Sequence, residues 1–295
     1  MAIEVFSDSE LTMHLKNSES HQRKNPIAVI KVGGDMVLQD SDRLALASNI
    51  NDLLKSGWRC VVLHGGGPQL NVLQQIHGLT PHKIEGRRIT SLSDLKVVKQ
   101  ALCGEVNVDL VSALVGQGIS AFGCHGASGQ LIKASKRPPM DLGPKGVVDF
   151  GEVGDVVKIK TKILDTLLEA EQVPVIASLG IDDQGRVFNI NADTTVAAIA
   201  SALRADLLIL STKVGGIFEN IDKPETRIPK VSPKIAERLI DDQIITDGMI
   251  PKVRESLGLL TKGVAKIAIT NAANSGGFLK IAQGSKRIGT ILVRD

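Results

Sequence analysis

The segment from Ile27 to Gly34 reads IAVIKVGG and constrains the fold of this chain more than any other. Its apolar start is typical of a strand that is buried on both faces. A lysine at the end of such a strand must be paired or lose its charge, because burying an unpaired ammonium is costly. The two glycines allow a sharp turn and let backbone amides approach a ligand. The segment therefore indicates either a phosphate site at Lys31 or a strand that ends in a solvated lysine.

A second apolar strand, predicted at Arg59–His64, also runs directly into glycines, since Gly65 to Pro68 reads GGGP. Apolar residues at helical spacing predict a helix over Asp42–Lys55, between the two strands. This order predicts a βαβ unit with parallel strands and a right-handed crossover. A helix is predicted to follow the glycines, and the free amides at a helix start attract anions. A plain structural turn is the alternative, although three glycines carry an entropy cost that such a turn need not incur.

The rest of the chain continues to alternate predicted helices and strands. Helices are predicted at Ser91–Cys103 and at Glu105–Gln117, and buried strands at Val173–Leu179 and Asp206–Ser211. This alternation predicts an α/β fold whose mainly parallel sheet is covered on both faces. Ligands bind beyond the carboxyl ends of the strands in such sheets. The glycine turns after Lys31, after His64 and at Gly215 all follow predicted strands, so they are expected at one edge of the sheet.

Composition and charge exclude several classes of protein. A net charge of +3 over 295 residues is too small and too scattered to indicate nucleic-acid binding, and the absence of tyrosine disfavours a base-stacking surface. We find no apolar run long enough for a transmembrane helix and no signal-peptide pattern at the N-terminus. The three cysteines lack metal-like spacing and are interpreted as reduced thiols of a cytoplasmic protein.

Three further motifs hold candidate site residues. FNINAD places Asn189 and Asn191 on one face of a short strand and Asp193 in the first turn of a helix. These residues suit a polar substrate site with an orienting acid. Alternatively, the asparagines have a structural role in a turn, and Asp193 only compensates the helix dipole. TDGMIPKV places Lys252 one turn into a helix, as a second cation for phosphoryl transfer or as a solvent-facing lysine. Arg88 in EGRRIT is either a bidentate carboxylate clamp or a surface arginine.

Together the motifs IKVGG, HGGGP, GRRIT, FNINAD and DGMIPKV resemble those of the amino acid kinase family, over residues about 27 to 295. The resemblance implies an open αβα sandwich with a mainly parallel central sheet. It implies an N-terminal arm at 1–26, a lobe at 27–180 for the amino acid and dimerisation, and a lobe at 181–295 for ATP. The motifs are most similar to those of members that use ATP and Mg²⁺, carried by the nucleotide, to phosphorylate the γ-carboxylate of N-acetyl-L-glutamate in arginine biosynthesis.

The resemblance also implies a role for each motif residue. Lys31 would steady the transferred phosphoryl group, Lys252 would balance charge on the leaving side, and Asp193 would orient both lysines. The expected amide donors to the phosphoryl group are Gly33, Gly34, Gly65 and Gly66. The expected substrate ligands are Arg88, Asn189 and Asn191. The expected nucleotide ligands are Ser211, Thr212, Lys213, Gly216 and Met249, with Lys213 standing where the family often has an acid.

Two alternatives stay open at this point. The chain could phosphorylate a related acidic acyl-amino acid, such as a carrier-linked aminoadipate, or it could be a non-catalytic regulatory member of the fold. Non-catalytic members often lose the first lysine, whereas Lys31, Asp193 and Lys252 are all present here. The expected partners are small-molecule substrates and further copies of the chain, in a homodimer or higher homo-oligomer. Neither nucleic acid nor a membrane is expected as a partner.

Overall fold

The computed structural model describes residues 25–84, 86–246 and 249–294, without the side chains of residues 251 and 252. The predicted N-terminal arm lies outside this part of the chain, apart from its last two residues. So do the first two residues of the DGMIPKV motif.

Helices and strands alternate along the described chain. The first half contains β1 (Ile27–Val32), α1 (Asp40–Lys55), β2 (Arg59–His64), α2 (Gly67–Ile76), β3 (Lys83–Ile84), β4 (Arg87–Arg88), α3 (Leu92–Lys99), α4 (Asn107–Gly116), β5 (Ala121–His125) and β6 (Ile132–Lys136). The middle contains β7 (Met140–Asp141), β8 (Val147–Val148), β9 (Gly154–Ile159), α5 (Thr161–Glu169), β10 (Val173–Ala177), β11 (Leu179–Ile181), β12 (Val187–Asn189) and α6 (Ala192–Ala202). The last part contains β13 (Leu207–Ser211), β14 (Lys230–Val231), α7 (Pro233–Asp241), α8 (Met249–Leu260), β15 (Ile267–Thr270), α9 (Gly277–Ala282) and β16 (Thr290–Leu292). Within these ranges, no helix has the length and apolar character that crossing a membrane requires.

A central sheet of eight strands confirms the predicted α/β class. Its strand order is β14-β16-β15-β13-β1-β2-β10-β5, and all neighbours are parallel except β15 and β16. A second, four-stranded sheet has the order β12-β11-β6-β9. The turn at residues 182–185 joins β11 to β12, which pair in antiparallel fashion. Residues 132–159 contribute two further antiparallel pairs, β6–β9 and β7–β8.

The alternation of side chains along β1 determines where Lys31 points. Ile27 and Val29 belong to the apolar cluster on one face of the sheet, whereas Ala28 and Ile30 belong to the cluster on the other face. Because successive strand residues point to opposite faces, Lys31 shares the face of Ile27 and Val29. Helix α6 packs on that same face. The lysine therefore ends a core strand directly beside the start of a helix.

The predicted break between two helices at Cys103–Gly104 does not occur. Helix α3 passes through a π-helix at Gln100–Val106 directly into α4. A glycine inside a helix costs only about 1 kcal/mol relative to alanine, and burial of Leu102 and Val106 on either side offsets that cost. The long helical segment lies beside the glycine turn that follows β2, which matters for the site.

Candidate functional site

Lys31 is buried and paired, so the solvated-lysine interpretation is wrong. Its residue is only 8% exposed, and its Nζ lies 2.9 Å from the Asp193 carboxylate oxygen Oδ1. Asp193 stands in the first turn of α6, where the helix dipole also favours a negative charge. The ion pair supplies the partner that a buried ammonium requires. One charge of each sign is thus held at the carboxyl end of β1.

The two glycine turns that follow β1 and β2 touch one another. A Cβ atom placed on Gly34 would lie 2.8 Å from Gly66 Cα, from Gly67 N and from Pro68 Cδ. These neighbours are backbone or ring atoms, which cannot move aside as the end of a flexible side chain can. A Cβ on Gly66 would lie 2.6 Å from Leu102 Cδ2, which is the end of a flexible side chain and could shift. Only glycine at position 34 therefore allows the two turns to pack this closely next to Lys31.

The hydrogen bonds of these turns show which backbone amides already donate within the fold and which are available to a ligand. The Gly65 N–H donates to the Val32 carbonyl at 3.1 Å, which continues the β1–β2 ladder by one step. By contrast, the Gly66 N–H makes no hydrogen bond among the described residues. The first amides of a helix such as α2 have no partner within it. The role of Gly65 as an amide donor stays a prediction, and the geometry favours Gly66 for it.

A cavity of about 220 Å³ brings together the glycine turn after β2 and the predicted substrate residues. Its lining includes Gly65, Gly66, Arg88, Asn189 and Asn191. Three further cations that the sequence analysis did not single out also line it, namely Lys83, Arg87 and Arg137. Of these three, only Arg87 could have been identified from the sequence, because it precedes Arg88 in the GRRIT motif. A small cavity with several cations in its walls suits an acidic small molecule.

A larger groove of about 660 Å³ lies at the other edge of the sheet, against Trp58, Ile119 and Gln172. These residues precede β2, β5 and β10, so the groove faces the amino ends of the strands. It contains none of the predicted site residues. Its size therefore does not make it the candidate site.

Arg88 is oriented rather than free at the surface. Its guanidinium donates to the side-chain oxygens of Asn71 and Gln74, at 2.5 Å in the case of Asn71. Gln74 in turn donates to the Asp94 carboxylate at 2.5 Å. Partial burial lowers the pKa of Arg88, and the negative charge of Asp94 opposes that shift. Arg88 remains a cation that is held in one orientation at the wall of the cavity.

The two asparagines of FNINAD have different roles within the fold. Asn189 donates from Nδ2 to Thr90 Oγ1 at 3.1 Å. The side-chain oxygen of Asn191 caps α6 by accepting from the Asp193 and Thr194 amides at 2.8 and 3.1 Å. The capping function that the sequence left open for Asn191 is therefore present. Both residues also line the cavity, and their contact with substrate stays a prediction.

Four of the five residues predicted to bind nucleotide lie at the end of β13 or in the turn that follows it. Ser211 ends the strand, the turn after it contains Thr212, Lys213 and Gly216, and Met249 opens α8. The Ser211 hydroxyl and that of its cross-strand neighbour Thr270 are both buried and lack partners in the part of the chain described. Buried hydroxyls without partners are rare and fit a polar ligand at this edge of the sheet.

Lys252 lies in α8, but its side chain is outside the described part of the structure. Helix α8 packs against α6, with Val253 and Val196 in one apolar cluster. The pKa of Glu255, one turn further along α8, is raised by burial and by the nearby Asp193 carboxylate. The helix that carries Lys252 thus packs beside the helix that carries Asp193. A role for Lys252 in the site remains a prediction.

We expect Gly34→Ala to lower turnover at this site and to destabilise the fold by about 1–3 kcal/mol, because the added methyl would force the two glycine turns apart. Gly116→Ala is the matched control, since a Cβ there would meet nothing within 4 Å. Urea unfolding and steady-state kinetics on both variants test this expectation. Equal behaviour of the two variants would contradict the close packing of the turns.

Comparison with known proteins gives a consistent result. The sequence profile of the amino acid kinase family matches residues 26–271. An acetylglutamate kinase from Anaeromyxobacter dehalogenans (strain 2CP-1) is 40% identical over 271 residues, which cover 90% of this chain and 98% of that protein. An acetylglutamate kinase from Methanopyrus kandleri is 41% identical over 243 residues, covering 82% of this chain and 94% of that protein. The crystal structure of smu.665 from Streptococcus mutans UA159 superposes with a TM-score of 0.72 at 32% identity, over 91% of this chain and 99% of that one.

Proposed function

Because this chain belongs to the amino acid kinase family, we propose that it transfers the γ-phosphoryl group of ATP to the γ-carboxylate of N-acetyl-L-glutamate. The products would be N-acetylglutamyl 5-phosphate and ADP, and the reaction is a step of arginine biosynthesis. The observation that carries the proposal is the buried Lys31–Asp193 ion pair beside two closed glycine turns. Relatives about 40% identical over 90% of the chain are acetylglutamate kinases, which supports this substrate and neither alternative.

The proposed transfer needs charge compensation rather than a general base. The γ-carboxylate is already ionised, so one of its oxygens attacks the γ-phosphorus while the bond from that phosphorus to the ADP oxygen breaks. Negative charge spreads over the equatorial phosphoryl oxygens during the step. The Lys31 ammonium and the Gly66 amide would stabilise that negative charge, and Asp193 would hold the ammonium in place. Lys252 would compensate the negative charge that develops on the leaving ADP.

The cations of the cavity give the acidic substrate its orientation. When the γ-carboxylate reaches toward Lys31, the α-carboxylate remains to be bound elsewhere. Arg88 is held at the cavity wall by neutral amide oxygens, and within the described part of the chain no acid is bonded directly to its guanidinium. Asn189, at the end of β12, and Asn191, at the start of α6, would contact the acyl-amino group.

The nucleotide would lie at the carboxyl end of β13 and bring Mg²⁺ with it. The unpartnered hydroxyls of Ser211 and Thr270 fit this placement, as does the exposed Lys213 in the following turn. The division into a substrate lobe at 27–180 and a nucleotide lobe at 181–295 belongs to the same proposal. The central sheet runs through both lobes, since β13 of the second pairs with β1 of the first.

A homodimer, the oligomer implied by the family, is also proposed here. Strand β5 forms one edge of the central sheet, and its Phe122 side chain is exposed. Val108 and Val115 on the adjacent helix α4 are exposed as well. An open strand edge flanked by exposed apolar side chains is a surface that association would cover. Light scattering on the purified chain would give the mass, and a monomer would overturn this part of the proposal.

The three cysteines support a reducing, cytoplasmic setting and no role in catalysis. None forms a disulfide. Burial raises the pKa of Cys60 to about 12 and the pKa of Cys103 and Cys124 to about 11. Thiols with such pKa values supply almost no nucleophilic thiolate near neutral pH.

The proposed function is tested with a substrate panel. Purified protein with MgATP would be given N-acetylglutamate, glutamate, aspartate or aminoadipate derivatives, and ADP release would be measured against a control without acceptor. We expect release with N-acetylglutamate above that control. No release with N-acetylglutamate would overturn the proposal.

Arg88→Lys is expected to raise the KM for N-acetylglutamate by about 10- to 100-fold with a smaller change in kcat, because a lysine cannot reproduce bidentate carboxylate binding. Arg254→Lys is the matched control, since Arg254 makes a bidentate pair with Glu237 in an exposed position away from the cavity. Initial rates over a range of N-acetylglutamate concentrations separate the two parameters. An unchanged KM in Arg88→Lys would remove Arg88 from the substrate site.

A further inference from the structure

His64 ends β2 and is fully buried on the face of the sheet opposite to Lys31. It shares that face with Cys60 and Val62, which pack in the same cluster as helix α4. The proposed reaction assigns His64 no task, although it directly precedes the three glycines. A buried histidine next to a ligand-binding turn requires an explanation.

The hydrogen bonds of His64 determine its protonation state. Its Nδ1 lies 2.9 Å from the Gly65 carbonyl oxygen, and its Nε2 lies 2.9 Å from Asn107 Nδ2. A carbonyl oxygen only accepts, so Nδ1 carries the proton and donates it to Gly65. Nε2 then accepts from Asn107. Burial also lowers the pKa of His64 to about 4, which keeps the ring neutral at physiological pH.

Asn107, the first residue of α4, is itself held in one orientation. Its Nδ2 also donates to the Val175 carbonyl on β10 at 2.9 Å. A carbonyl oxygen only accepts, so the amide nitrogen of Asn107, and not its oxygen, must face Val175 and His64. The side-chain oxygen of Asn107 occupies space left by Gly123, where a Cβ would approach within 2.4 Å of it. Asn107 is 6% exposed. The Asn107 side-chain amide, which is fixed by its contacts with β10 and β5, therefore holds the His64 ring in position.

The bond to the Gly65 carbonyl also sets the direction of the next amide. A trans peptide group is planar, with its C=O and N–H pointing in opposite directions. When the Gly65 C=O points to the His64 ring on the α4 face, the Gly66 N–H points away from that face. Gly65 itself lies close to Ala192, the neighbour of Asp193, since a Cβ placed on Gly65 would lie 3.7 Å from the Ala192 Cβ. The Gly66 amide is thereby directed toward the side of the Lys31–Asp193 pair.

We propose that His64, fixed by Asn107, is a positioning residue that binds the Gly65 carbonyl and so presents the Gly66 N–H to the phosphoryl group in transfer. This inference rests on the proposed function for the identity of the group transferred. His64 does not touch the reacting atoms. It acts by preventing rotation of the Gly65–Gly66 peptide, which three consecutive glycines would otherwise permit.

Two substitutions at His64 separate positioning from packing. His64→Leu keeps the bulk and removes the donor, whereas His64→Asn keeps a donor nitrogen at the place of Nδ1. We expect His64→Leu to lower kcat by about 10- to 100-fold with the KM for N-acetylglutamate changed less than about threefold. His64→Asn is expected to recover most of the lost kcat. Equal kcat in the two variants would overturn the positioning role.

A measurement on the wild-type chain is independent of turnover and of whether the leucine variant folds. With ¹⁵N-labelled glycine and histidine, NMR would report the His64 ring proton and the Gly66 amide while inorganic phosphate is added. We expect a neutral ring protonated at Nδ1 and a shift of the Gly66 amide on phosphate binding. A ring protonated at Nε2, or a Gly66 amide that does not respond to phosphate, would overturn the inference. If the wild type responds in this way but does not turn over N-acetylglutamate, the proposed substrate fails and the positioning role stands.

Discussion

Replacing Lys31 with alanine is expected to lower the turnover of N-acetylglutamate by about 100- to 1,000-fold while the chain stays folded. The ammonium at the end of β1 would compensate charge that appears only as the phosphoryl group moves, so its loss should reduce kcat more than it changes KM. The fold should survive because Asp193, the partner left behind, has a side chain that is 27% exposed and can be hydrated. ADP release and thermal unfolding, measured on the same preparation, test both parts.

A matched lysine elsewhere makes the result specific. Lys133 on β6 forms a comparable ion pair, at 2.5 Å, with Asp183 in the loop between β11 and β12, and neither residue lines the cavity. Exposed ion pairs contribute about 0–1 kcal/mol to stability, so Lys133→Ala should leave turnover and unfolding nearly unchanged. Unfolding of Lys31→Ala, or a similar loss of turnover in both variants, would show that Lys31 is structural.

The features that could be predicted from sequence are those that depend on neighbours along the chain. The apolar run before Lys31 already indicated a buried strand, and burial already required a partner for its ammonium. Glycines directly after two such strands placed two turns at one edge of a parallel sheet. Ser91 and Asp94 have the three-residue spacing of a capping box, and both of its hydrogen bonds are present. Each of these conclusions needed only a few consecutive residues.

The features that sequence could not supply depend on contacts between distant segments. Lys83 and Arg137 reach the cavity from separate hairpins, and no local pattern connects them with Arg88. The engagement of the Gly65 amide follows from the register of β1 against β2, which adjacent residues do not determine. The helix break expected at Gly104 was wrong for the same reason, because tertiary packing of its neighbours outweighs the low helix propensity of glycine.

The partner that holds the ammonium should matter nearly as much as the ammonium itself. Asp193→Asn keeps the size of the side chain and removes its charge, so Lys31 would lose the attraction that orients it. We expect turnover to fall by about 10- to 100-fold, less than in Lys31→Ala because the cation remains. The neighbouring cap from Asn191 to the α6 amides does not involve the Asp193 side chain, so α6 should stay intact. Asp183→Asn, which removes the acid of the exposed pair, is the control.

The double variant Lys31→Ala/Asp193→Asn decides whether the two groups act as one unit. If Asp193 works through Lys31, removing it from a chain that already lacks the lysine should cost little, and the double variant should fall within about a few-fold of Lys31→Ala. Any further loss would measure what Asp193 contributes through a group other than Lys31, and the second lysine on α8 is the predicted recipient. Losses that multiply fully would mean that the ion pair seen at 2.9 Å is not how Asp193 supports the reaction.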